Sequence, residues 1–154
     1  MFEVFSSLLS ALAPSLGVPD IALQEEEPVS LLAIDDFEVS LRYLPASDLV
    51  MLFTVVAPLP EKGRTALYAT LLDANTFFQD TQGFTLAARE DTGVTLQGVM
   101  PLRVLDSSNI ATWVQNFLNV AEMWQTRCMA DDWTDDAASP AALELSLKND
   151  MLRV

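Results

Sequence analysis

Apolar residues recur along this chain with two periods, and the places where one period gives way to the other mark its elements. Phe2, Phe5, Leu9, Leu12 and Leu16 follow steps of three and four. That spacing is one face of an amphipathic helix, which Pro14, Gly17 and Pro19 are expected to stop. A polar connector, PDIALQEEEP, follows, and its Glu25–Glu27 run reads as a solvated loop. Three strands come next. VSLLAI, Val29 to Ile34, meets a turn at Asp35-Asp36. FEVSLRYL then alternates strictly, with Phe37, Val39, Leu41 and Tyr43 on one face and Glu38, Ser40 and Arg42 on the other. Such alternation marks a strand with one buried and one wet face. LVMLFTVVA, Leu49 to Ala57, is apolar on both faces, the pattern of a central strand covered on both sides.

Pro58 and Pro60 close this segment, and from Glu61 the period turns helical. Leu67, Leu71, Ala74 and Phe78 form one stripe; Tyr68, Leu72 and Asn75 form its neighbour, with Phe77 alongside. The combined apolar arc is wider than one sheet face needs. This helix therefore has two expected clients, its own sheet and a partner subunit. Gly83 releases the chain into a hairpin in which Phe84, Leu86 and Ala88 alternate with polar and small residues. The Glu90–Gly93 turn has a glycine where a positive φ is needed. Gly98 in the return strand signals a bulge or a close backbone approach. Asp106 to Asn109 offer helix caps, and Ile110, Val114, Phe117, Ala121, Trp124 and Cys128 then give the sharpest helical period in the chain. The predicted fold is α+β, in the order α-β-β-β-α-β-β-α, with one twisted antiparallel sheet packed by helices. Residues 1–130 form the domain; residues 131–154, opening with the acidic break DDWTDDAASP, read as a mobile or partner-ordered tail.

Composition sharpens this picture. The 154 residues are 51% hydrophobic and 19% charged, a high apolar share for a small domain and a sign of surface covered by another chain. The net charge of −14 repels phosphates, so nucleic acid and anionic membranes are poor partners and a basic protein segment a better one; acidity also keeps a sticky protein soluble. The N-terminal apolar run carries Glu3 and no preceding Lys or Arg, so it reads as a helix rather than a secretion signal. Leu49 to Leu59, the longest apolar run, is too short to span a bilayer.

Candidate chemistry is thin. With no histidine, Ser-His and Cys-His nucleophile systems and most transition-metal sites are excluded. The single Cys128 cannot form an internal disulfide, fits a reducing cytosol, and lies in a helical stripe that suits packing. The acidic pairs Asp35-Asp36, Asp131-Asp132 and Asp135-Asp136 sit in predicted turns or the tail, where solvated acids are ordinary. DDWTDD lacks the glycine and glutamate of a calcium loop, and no glycine-rich phosphate loop is present. The expectation is a binding protein and not an enzyme, with no cofactor, metal or catalytic residue.

A family resemblance gives that reading content. Leu71-Leu72, Ala74-Asn75 and Phe77, then Gly83, Leu86, EDTGV, Leu96 and MPL, then Leu105-Asp106 and FLNVAEMW (117–124) occur in order. Over residues 1–130 the chain resembles the class I type III secretion chaperones, the CesT-like or Tir chaperone family. The resemblance implies an ATP-independent homodimer of the bacterial cytoplasm that holds the N-terminal region of a secreted effector extended for export. It implies a dimer interface on the central helix, about Lys62 to Gln79, and the last hairpin, with Tyr68, Leu71, Leu72, Asn75 and Phe78 as its residues. It places effector binding in apolar grooves near the first helix and strands, where Phe5, Leu9, Leu32 and Ile34 are candidates. Ordinary burial statistics favour a core position for any one of those four. The alternative role in this family is a regulator that sequesters a small partner controlling secretion-gene transcription.

Overall fold

The computed structural model describes residues 2–18, 21, 29–130 and 132–134. The acidic connector and most of the tail lie outside the described residues. Helix α1 spans Phe2–Leu16, strands β1 to β3 span Val29–Ile34, Phe37–Leu44 and Leu49–Ala57, and helix α2 spans Arg64–Asn75. Strands β4 and β5 span Thr85–Arg89 and Gly93–Pro101, and helix α3 spans Ile110–Ala130. The strands form one sheet in the order β1-β2-β3-β5-β4, with every neighbouring pair antiparallel. The α+β order read from the sequence is the order observed.

One face of the sheet carries the core. Val39, Leu41 and Tyr43 of β2 stand opposite Thr54, Leu52 and Val50 of β3, all buried. Helices α1 and α3 cover this face. Phe5 of α1 stacks on Tyr43 with ring centroids 5.8 Å apart, and Phe117 of α3 meets Phe84 edge-on at 5.2 Å. Ile110, Val114, Phe117, Ala121 and Trp124 are fully buried, so the α3 stripe read from the sequence is the face that docks. Burying each such large side chain contributes roughly 1.5–3 kcal/mol. The Tyr43 hydroxyl donates to Asp48 at 3.0 Å across the β2–β3 turn. Burial, and then this bond, raises the hydroxyl's pKa and keeps it a donor.

Three local expectations are corrected. Pro14 does not stop α1. The helix runs to Leu16 and ends in a Schellman motif: Val18 N–H donates to Ala13 O, Gly17 N–H to Pro14 O, and Gly17 has φ 65°. A proline in the last turn loses only one helical bond. The buried face of α1 is also rotated toward Leu8 and Ala13, which leaves Phe2 exposed. Finally, α2 stops at Asn75, so Phe78 does not continue its stripe.

Candidate partner-binding surfaces

The second face of the sheet has no helix over it among the described residues. Register fixes its membership. Leu31 of β1 stands opposite Ser40 of β2, Ser40 opposite Phe53 of β3, and Phe53 opposite Gln97 of β5. A neighbouring row carries Arg42, Met51 and Val99. Val99 is 58% exposed, Leu31 and Val55 are also exposed, and Met51, Phe53 and Leu49 are half-buried. The expectation that β3 would be covered on both sides is therefore corrected: its second face is apolar and open. Glu38 and Arg42 of β2 put charges of both signs beside this patch. A contiguous apolar patch rimmed by polar groups marks an interaction surface.

A second surface lies around α2 and the edge strand β4. Leu67, Leu71 and Ala74 pack inward, while Leu72 is 68% exposed and Tyr68 is half-buried. Tyr68, Leu71 and Leu72 face Leu86, Ala87 and Ala88 across an open apolar crevice of about 280 Å³. At its far end the chain leaves the helix through Phe77 and Phe78, with φ of 58° and 55°. Left-handed backbone is costly for a bulky side chain, typically about 1–3 kcal/mol per residue. Both rings nevertheless point outward, Phe77 being 74% exposed.

The body of the protein braces this loop. Trp124, fully buried, donates its indole N–H to Asp80 O at 3.0 Å. The Arg127 guanidinium lies 4.7 Å over the Trp124 ring and 3.8 Å from the Asp80 carboxylate. At the other end of α2, Arg64 makes a two-point ion pair with Glu90 in the β4–β5 turn, at 3.0 and 2.7 Å. Glu90 is largely exposed and Arg64 partly so, and solvent screening leaves the pair little stability to add.

The nominated residues separate cleanly. Of the α2 set, Leu72 and Phe78 are exposed, Tyr68 is half-buried at the crevice, Leu71 is buried with its edge on the crevice wall, and Asn75 is bonded to β4. Of the other set, Phe5, Leu9, Leu32 and Ile34 are all core residues of the single chain. Leu32 and Ile34 stand opposite Val39 and Phe37 on the covered face, whereas Leu31 lies on the open one. The open-face residues Leu31, Phe53, Val55 and Val99 were not singled out as a surface. Their signal was present in β3, whose second apolar face has no matching helix among the described residues.

Comparison with known proteins decides the family. A family model matches residues 7–125, most of the chain, and its description is the Tir chaperone protein (CesT) family. The chain belongs to the Tir chaperone (CesT) family. Its fold is that of type III secretion chaperones in solved structures. The ExsC-ExsE complex contains a chain of TM-score 0.72 and 24% identity, covering 81% of this chain and 93% of that one. The HopA1-SchA chaperone-effector complex gives TM-score 0.65 and 17% identity, covering 80% and 94%. The ExoT-SpcS complex from Pseudomonas aeruginosa gives TM-score 0.59 and 25% identity, covering 80% and 98%. A search of curated proteins finds no match. No helix among the described residues is long and apolar enough to cross a membrane.

Proposed function

We propose that this CesT-family protein is an ATP-independent type III secretion chaperone of the bacterial cytoplasm. It acts as a homodimer, binds the N-terminal segment of a secreted effector and keeps it extended; it is not an enzyme. The open apolar face of the sheet carries this reading. An unfolded segment can lay apolar side chains across Leu31, Phe53, Val55 and Val99. It can also take main-chain hydrogen bonds from the outer edge of β1, which among the described residues pairs only with β2. The −14 net charge favours a basic client and steers its approach.

The second surface suits a second copy of the chain. Leu72, Tyr68, Phe77 and Phe78 lie beside the crevice along β4, and a two-fold axis there would bring each patch onto its own image. A specific dimer typically buries about 1,600 Å² in all. The reading leaves the open sheet face of each copy available to the client.

Co-purification from the native cell tests the client reading. The untagged protein should retain an effector N-terminal segment that resists protease while bound. Val99→Glu and Phe53→Glu, each placing a charge on the open face, should lose that segment while keeping wild-type helicity and mass. Retention of the segment by both variants would remove the open face from the account.

A further inference from the structure

Trp133 lies beyond residue 125, where the family match ends. Its indole N–H donates at 3.0 Å to the carbonyl of Cys128, in the last turn of α3, where helix carbonyls lack partners along the helix. The ring closes one side of a crevice of about 160 Å³ whose other walls include Pro58, Pro60, Leu67 and Met129. It therefore spans from the end of α3 to the loop that leads into α2. The main chain of Trp133 meets that loop at Gly63. Gly63 is buried and left-handed, with φ 72°, and is the N-cap of α2 without a side-chain cap bond. A Cβ at Gly63 would overlap the Trp133 carbonyl, so only glycine admits this contact.

From this contact we propose that Trp133 is a strap that fixes the N-terminal end of α2 against the end of α3. By doing so it sets the position of the helix whose outer face meets the second copy. Its effect on assembly rests on the dimer reading above; its effect on α2 does not. The rest of the attachment of α2 is slight. Leu67, Leu71 and Ala74 are the buried residues of its 12, and its outer face is open. A short helix held by so few buried side chains moves easily unless its ends are fixed. Asn75 fixes one end through β4; at the other end the strap adds to the solvent-screened Arg64–Glu90 pair and the Arg64 bond to Pro60 O. The strap thus gives the C-terminal segment a mechanical connection to the subunit interface.

The test uses the full chain, with Trp133→Ala, Gly63→Ala and the double variant. Amide hydrogen exchange reads α2 directly, and sedimentation over a concentration series reads assembly. Exchange across residues 64–72 should accelerate in all three variants, while β2, β3 and the middle of α3 keep wild-type rates. The dimer dissociation constant should rise roughly tenfold in Trp133→Ala; Gly63→Ala also strains a left-handed backbone, so the double variant should lose less than the sum of the two single effects. Unchanged exchange in α2, or effects that add in the double variant, would overturn the strap. A wild-type protein that never dimerises, with α2 exchange accelerated as expected, would instead sink the dimer reading alone. Should Trp133→Ala fail to fold, Trp133→Leu with Gly63→Ala carries the same comparison.

Discussion

The Asn75 carboxamide makes the pair of hydrogen bonds with Leu86 that a neighbouring strand would make. Its Nδ2–H donates to Leu86 O and its Oδ1 accepts from Leu86 N–H, both at 2.9 Å. The last residue of α2 thereby caps part of the outer edge of β4. An unpaired edge is a template for another chain, so a side chain standing in for a strand also limits where that edge can pair. It ties the helix end to the sheet at the point where the chain turns out through Phe77.

Asn75→Ala should destabilise the fold by about 1–3 kcal/mol, because two part-buried backbone groups lose their partners at once. Urea denaturation measures this. Asn75→Asp should cost more at neutral pH, since a carboxylate oxygen would face the Leu86 carbonyl. A wild-type midpoint for both variants would show that water replaces the carboxamide without loss.

Gly98→Ala should also destabilise. A Cβ at Gly98 would lie 2.6 Å from Cδ1 and 2.9 Å from Cε1 of Phe84, whose ring is held edge-on against Phe117. Overpacking of this kind typically costs about 1–3 kcal/mol. The double variant with Phe84→Leu should recover part of the loss, a coupling that a denaturation cycle detects.

How much of this was legible in the sequence differs by element. Strands β1 to β3 were legible at their observed bounds and α3 at its observed start, because β2 alternates without exception and α3 repeats 4-3-4-3-4 from Ile110 to Cys128. At Gly98 the sequence left a bulge or a close approach open, and the Phe84 ring packed against it decides for the close approach. The end of α2 was not. Helices usually announce their stop with glycine, but here Phe77 and Phe78 themselves take the left-handed conformation, and tertiary bonds from Trp124 and Asn75 hold the loop that allows it. Nor was the buried parity of β1. Leu31 and Leu32 are both leucines, so neither phase of VSLLAI is polar enough to name the wet face; pairing with β2 makes the choice. That one-residue ambiguity separated the core candidates Leu32 and Ile34 from the exposed Leu31.

Phe77→Asn should raise stability and weaken self-association together. Asparagine tolerates left-handed backbone, so relief of strain should contribute about 1 kcal/mol, read as a higher urea midpoint. Loss of an exposed aromatic should raise the concentration at which the dimer dissociates. A more stable variant that dimerises like the wild type would take Phe77 out of the interface.

Acid should loosen the β4–β5 turn in a defined window. The hydrogen bond from Arg89, with a further one from Thr92, lowers the Asp91 pKa from 3.8 to about 2. A depressed carboxylate contributes its stability above the unfolded pKa, and that contribution fades as pH falls from about 4 towards 2. Asp91→Asn should flatten this part of the stability profile. The effect should be small and shrink in high salt, since both side chains of the pair are well exposed.

Native mass spectrometry of the assembly taken from its own cell tests the central claim most directly. The account predicts two copies of the 16.9 kDa chain carrying the N-terminal segment of a secreted protein. Leu72→Glu should yield single chains, and Val99→Glu should yield dimers without the segment. A wild-type protein that is a lone 16.9 kDa chain with nothing bound would contradict it.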